Sequence, residues 1–254
     1  MTFDVSAAWV AGLLLALART AGFAAASPIV SRTFPPVGRL AFALGVSLAL
    51  ARPVDSIPGA LALAGFTLAN VALGILLGFA TGLILYLFEV AGSMLDHTSG
   101  LSTAAILDPT SRAVAGPFDR MIRMSAMAVF LVIGGDRMAI KALAASSDAV
   151  PFLSGFSVQG SIGRDIVASV GQLFVAALEL AAPAVAALFV VELVLAVAAR
   201  LAPQMNVFLL GMPVKLLVAF AAIGAVLVLL PGSVHGAADV MVRSFAKILQ
   251  TLRG

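Results

Sequence analysis

The chain has 254 residues, of which 62% are apolar and 11% charged, and its formal net charge is +3. Soluble domains average about 45–50% apolar and about 25% charged residues, and so few charges cannot cover a water-facing surface of this size. The composition therefore excludes an ordinary soluble enzyme, a nucleic-acid-binding domain and a disordered protein. It predicts an integral membrane protein.

Six apolar stretches follow one another along the chain, at residues 7–30, 40–51, 56–88, 124–135, 166–199 and 201–238. No Lys or Arg precedes the first, so we expect a retained membrane helix rather than a signal peptide. A helix needs about 20 apolar residues to span a bilayer. The second and fourth stretches, roughly 18 Å long as helices, are therefore too short to cross alone.

The basic residues give no clear topology. They divide almost evenly between the two sides that six crossings would create, whereas simple helical membrane proteins show a bias. The sequence therefore predicts an all-α membrane protein built from long bent helical hairpins, not from plain up-and-down threading. The two polar segments, residues 89–123 and 136–165, are rich in turn and cap residues.

Three glycines, Gly74, Gly78 and Gly82, lie four residues apart in the third stretch. On a helix they form one smooth stripe, which lets a second helix approach closely. This stripe packs either against another helix of the same chain, the interpretation we favour, or against a neighbouring subunit.

Four charges, Arg19, Glu179, Glu192 and Lys215, lie inside apolar stretches. Each is costly in lipid, so each should face protein or water. The pattern favours buried ion pairs or hydrogen-bond anchors over a proton relay. Pro183 has no N–H to give to the carbonyl of Glu179, so the helix should kink there.

The most distinctive polar stretch covers residues 95–111 and contains His, Ser and Asp. It lacks the G-x-S-x-G pattern of a hydrolase, and the chain has two histidines and no cysteine, so we predict neither a catalytic site nor a metal site. Asp108-Pro109 and Gly116-Pro117 interrupt helix formation. A loop of small residues at membrane depth is tolerated where it lines or closes a cavity, and this predicts a pore or a plug.

The chain resembles the FliR family of export-gate subunits from bacterial type III secretion. The similarity extends over roughly residues 11–218 and rests on four blocks of sequence. The most specific is the run from Arg200 to Phe208, with Pro203, Gln204 and Asn206 at fixed places, followed by Gly211 to Lys215 with Pro213. The other blocks are Arg19 with residues 27–31, the pair Gly74 and Gly78, and residues 91–109.

The resemblance implies a single copy assembled with several copies of each of two other small membrane export-gate proteins, and with further membrane proteins of the export apparatus. Residues 1–165 would resemble one partner, and a C-terminal helical hairpin at 166–254 the other. The substrates would be unfolded export proteins, with neither a cofactor nor nucleic acid involved. The protein would be located in the inner membrane, within the flagellar basal body.

The resemblance also implies a channel plug in the loop at about 95–118. The residues carried over to the plug are Ser99, Gly100, Leu101, Ser102, Ile106, Leu107, Asp108, Pro109 and Arg112. The flagellar export gate is the expected function, and an injectisome export gate is the alternative, since residues 96 and 212–215 look slightly more like injectisome members. A self-contained secondary transporter is a further alternative, but it usually carries an internal repeat, and none is seen.

Overall fold

The computed structural model describes residues 6–101, 116–154, 161–202, 204 and 207–253. These residues form helices without any strand, which confirms the all-α prediction. The helices are α1 (Ala7–Ala26), α2 (Pro28–Thr33), α3 (Pro36–Leu50), α4 (Ala60–Ser99), α5 (Pro117–Val132), α6 (Gly135–Ala149), α7 (Ser161–Leu201) and α8 (Val207–Arg253).

Local sequence explains most of the helix ends. Proline occupies the first position of α2, α3 and α5, where its fixed φ suits a helix and its missing N–H removes no bond. Gly100 follows α4 with φ +84°, and Gly134 separates α5 from α6 with φ +77°. Glycine adopts this left-handed conformation without the steric cost that a Cβ would bring.

Among the described residues, four helical segments are long and apolar enough to cross a membrane: Ala7–Ala26, Ala60–Ser99, Val167–Leu201 and Gly211–Gln250. This agrees with the prediction of a helical membrane protein. The stretches at 40–51 and 124–135, predicted to be too short, fall in α3 and α5, which have 15 and 16 residues.

One expectation from the sequence needs correction. The polar segments predicted as turn-rich are largely helical where they are described: α4 continues to Ser99, α5 begins at Pro117, and α6 occupies Gly135–Ala149. The last helix extends from 207 to 253, past the apolar stretch that ends at 238 and within the residues 166–254 expected to be helical. Amphipathic turns carry helices past the end of an apolar run, because only one face needs to be buried.

The chain forms two compact units. Unit 1 comprises residues 1–83, 134–169 and 238–254, and unit 2 comprises residues 84–133 and 170–237. Both units combine segments from either side of residue 165. The boundaries of the two units therefore differ from those of the predicted parts, 1–165 and 166–254. The likeness of those parts to two partner proteins stays a prediction.

Within unit 1, α1 and α4 pack with their backbones in direct contact through glycines. A Cβ on Gly74 would overlap the carbonyl oxygen of Arg19, and one on Gly78 would lie 2.6 Å from the carbonyl oxygen of Phe23. From the opposite side, a Cβ on Gly22 would lie 2.5 Å from the carbonyl oxygen of Val71. Gly82 is also buried. In this chain, Gly74 and Gly78 serve packing between two of its own helices.

Gly74→Ala is expected to lower the thermal stability of the detergent-solubilised chain, because the new methyl group forces α1 and α4 apart at a cost of about 1–3 kcal/mol. Gly65→Ala, on the same helix, is the matched control, because a Cβ there meets nothing within 4 Å. Thermal aggregation curves of the two variants would measure the difference. Equal curves would contradict the direct backbone contact.

Candidate functional site

The two ends of the predicted plug loop are held together by a buried carboxylate. Asp96, near the end of α4, is 2% exposed, and its Oδ1 and Oδ2 accept hydrogen bonds from the backbone N–H groups of Phe118 (3.0 Å) and Asp119 (2.8 Å). These are the second and third residues of α5, whose N–H groups have no partner inside the helix. Asp96 therefore caps α5 from a different helix, as an N-cap side chain ordinarily does within its own.

Glycine makes this close approach possible at two places in unit 2. A Cβ on Gly116 would collide with the carboxylate of Asp96, and one on Gly92 would collide with the backbone of Asp119. On the other side of the loop, the hydroxyl of Ser99 donates to the carbonyl of Asp96 at 3.1 Å. The structure thus describes both anchors of the loop.

The predicted plug residues lie only partly within the described structure. Ser99 is buried, while Gly100 and Leu101 are half-buried just after α4. The other six lie outside the described residues: Ser102, Ile106, Leu107, Asp108, Pro109 and Arg112. Their role in closing a channel stays a prediction.

A second polar centre lies in unit 1 around Arg19, which is 1% exposed. Its Nε and Nη2 donate to Asn70 Oδ1 at 2.9 and 2.7 Å. Its Nη1 donates to the carbonyl of Ser146 and its Nη2 to the carbonyl of Val150, both at 2.8 Å. The guanidinium carbon also lies 4.8 Å from the ring centre of Phe152, a cation–π distance.

The acceptors around Arg19 are all neutral, so this is a hydrogen-bond anchor and not an ion pair. The carbonyls of Ser146 and Val150 belong to the C-terminal end of α6, which carries partial negative charge. Asn70 in turn donates to the carbonyl of Phe152 at 2.9 Å. The arrangement ties α1, α4 and the end of α6 together within unit 1.

The other three charges predicted to be buried are placed differently in the single chain. Lys215 Nζ donates to Glu192 Oε1 at 2.9 Å, with the lysine side chain 22% exposed and the glutamate side chain 58% exposed. Glu179 is exposed on α7. The chain by itself thus buries Arg19, and the predicted role of all four in assembly stays a prediction.

The remaining motif residues cluster around the turn between α7 and α8. Arg200 is exposed in the last turn of α7, Gln204 is exposed in the turn, and Pro213 is exposed within α8. Pro203 and Asn206 lie outside the described residues, as does the side chain of Phe208. A Cβ on Gly211 would lie 3.0 Å from the side chain of Leu195, so α7 and α8 lie close together near this turn.

Two features of these sites were missed from the sequence. Asn70 accepts two hydrogen bonds from Arg19. In the sequence it could have been noticed as a single amide side chain within an uncharged apolar stretch. The cap that Asp96 supplies to α5 was also missed, although the proline at position 117 marks a helix start whose N–H groups need an acceptor. Finding either pair requires knowing which helices are neighbours.

The fold and these sites define a helical membrane protein with long apolar helices, in which Asp96 joins the end of α4 to the start of α5. Residues 10–241 match the model of a protein family described as bacterial export proteins, family 1. The match covers most of the chain, and the chain belongs to this family.

Individual relatives agree with the family assignment. The chain is 28% identical over 214 residues to the flagellar biosynthetic protein FliR of Bacillus subtilis (strain 168), covering 82% of each chain. It is 27% identical to the FliR of Escherichia coli (strain K12), covering 84% of this chain and 83% of the relative. It is 30% identical to the Yop proteins translocation protein T of Yersinia pestis, over 58% of this chain and 56% of the relative.

Arg19→Met is expected to destabilise the chain by at least about 3 kcal/mol, because several buried acceptors lose their donor at about 1–3 kcal/mol each. Arg52→Met is the matched control. Arg52 Nη1 lies 2.6 Å from Asp148 Oδ1, but the side chains are 64% and 63% exposed, and such a pair contributes at most about 1 kcal/mol. Thermal unfolding in detergent would rank the two variants, and equal losses would contradict the anchoring role of Arg19.

Proposed function

We propose that this chain is the single-copy export-gate subunit of a bacterial flagellar type III protein export apparatus, needed for translocation of unfolded flagellar proteins and for flagellum assembly. The observation that carries the proposal is the family match over residues 10–241, together with four helices long enough to span a membrane. Two flagellar relatives match over 82% and 84% of the chain, and the Yersinia pestis relative matches over 58%. The two matches of greatest length among these support the flagellar system, although two further flagellar relatives cover 64% and 59% of the chain.

The proposed partners are two other small membrane proteins, each present in several copies, in the inner membrane within the flagellar basal body. The surface of the chain supports a need for such partners. In the candidate spans Val167–Leu201 and Gly211–Gln250, 22% and 28% of the most apolar windows are buried in the chain. Lipid could cover purely apolar surface, but α7 also carries Glu179 and Glu192, and ionisable groups within a span favour contact with other protein.

A mild-detergent pull-down of the tagged chain from its native membrane tests the proposal. We expect one copy of the chain to bring along two small membrane proteins in severalfold excess, as quantified by mass spectrometry. Their flagellar or injectisome identity would decide between the two systems. A stable, monodisperse monomer or homo-oligomer would overturn the proposal in favour of a self-contained transporter.

Within this function, we assign the connection between α4 and α5 as the channel plug. The anchoring by Asp96 supports the assignment, because a loop whose two ends are fixed can return to one closed position. The bonds from Phe118 and Asp119 to that carboxylate fix the distance between the ends. The side chains that would fill the channel belong to residues 99–115.

Replacing residues 101–115 by a shorter Gly-Ser linker should leave gate assembly largely intact, because Asp96, Gly100 and Gly116 keep the anchors in place. Ions and small solutes should then leak across the membrane. Conductance or uptake would be measured in cells expressing equal amounts of assembled gate. An assembled variant gate that is no more permeable to ions and small solutes than the wild type would rule out the plug assignment.

A further inference from the structure

A groove of about 700 Å³ lies within unit 2, between the C-terminal part of α4 and the middle of α7. Met94, His97 and Thr98 line it from α4. From α7, the groove is lined by Leu178, Ala182, Val185 and Phe189, whose spacing places them on one face of the helix. The groove is open and almost entirely apolar, so its occupant must be apolar too.

One acidic residue, Glu179, interrupts this apolar lining. It is exposed, and in the part of the chain that the structure describes its carboxylate takes part in no hydrogen bond or ion pair. It also lies within the candidate membrane span Val167–Leu201. An ionisable group at such a place is costly and calls for a partner.

The backbone at the same residue adds a second acceptor. In a helix the carbonyl of Glu179 would accept the N–H of residue 183, but Pro183 has no N–H to give. At this residue α7 thus carries both a carboxylate and a backbone carbonyl without its usual donor. A positively charged hydrogen-bond donor can pair with the carboxylate and donate to the carbonyl.

The other glutamates of unit 2 are paired within the chain. Glu192 is bonded to Lys215 at 2.9 Å, and Glu89 is bonded to Arg123 at 2.8 Å. Among the described residues, Glu179 forms no ion pair of this kind, although His97 of α4 lines the same groove. Glu179 is therefore open to a cation supplied by a partner.

We propose that this groove receives an apolar helix of another subunit of the export apparatus, and that a Lys or Arg on that helix pairs with Glu179. The inference rests on the proposed function, because it names the chemistry of one partner. Small side chains at Ala182 and Ala186 let a helix approach closely. An acyl chain could fill the apolar part of the groove, but it offers no donor to Glu179.

Photo-cross-linking tests the occupant. The aromatic cross-linker p-benzoylphenylalanine would replace Phe189, which lines the groove, and, as a control, Val190, which does not. The two positions are neighbours on α7 with similar exposure, 60% and 57%. From native membranes, the first position should capture an apolar peptide of another subunit containing Lys or Arg. Cross-links to lipid, to this chain alone, or to a peptide without a basic residue would overturn the proposal.

Charge reversal tests the pairing. Glu179→Lys should reduce the co-purified partners at least about tenfold, and Glu179→Gln should have a smaller effect. Replacing the identified basic residue of the partner by Glu should restore the amount of co-purified partners. Glu192→Lys is the control, since its rescue should come from Lys215→Glu in the same chain.

The outcomes separate the pairing from the function. Normal partner recovery with Glu179→Lys would overturn the pairing while leaving the proposed function standing. The absence of export partners around the unaltered chain would remove the proposed function itself. Heat resistance of the solubilised Glu179→Lys chain equal to that of the unaltered chain would show that lost partners reflect assembly and not misfolding.

Discussion

The buried guanidinium of Arg19 is the constraint on which the arrangement of unit 1 depends. A cation removed from water must recover its hydrogen bonds from protein groups, and a guanidinium has five N–H donors in a fixed plane. Asn70 and the carbonyls of Ser146 and Val150 supply those acceptors. Three segments distant in sequence are therefore held at set positions around one side chain, in a region where apolar contacts alone would allow them to slide.

The glycines of α1 and α4 follow from the same constraint. Asn70 lies one turn before Gly74 on α4, and Gly22, Gly74 and Gly78 remove the side chains that would keep α1 and α4 apart. The close approach also brings Thr81 to Ser27, which is fully buried and accepts its hydrogen bond at 2.9 Å. Polar bonds and glycine packing thus reinforce each other, as they do between helices in lipid.

The sequence allowed the class and the family to be predicted, because composition and motif spacing are properties of the chain itself. It also indicated Gly74 and Gly78 as a packing stripe. It did not predict the partners of Arg19, which are separated from it by 51 residues or more, or the cap that Asp96 gives to α5. These contacts depend on which helices are neighbours, and hydropathy cannot specify that. The end of α4 was also missed, because this helix continues to Ser99, beyond its apolar run.

The uneven burial of the apolar helices indicates what kind of surroundings the chain needs. The spans Ala7–Ala26 and Ala60–Ser99 have 56% and 61% of their most apolar windows buried in the chain, but Val167–Leu201 has 22%. Lipid could cover that surface if it were purely apolar. Because α7 also carries Glu179 and Glu192 among its apolar residues, hydrocarbon is a poor environment for it. A helix that is apolar yet charged at set positions suits contact with other protein helices, which can offer both apolar surface and a counter-charge.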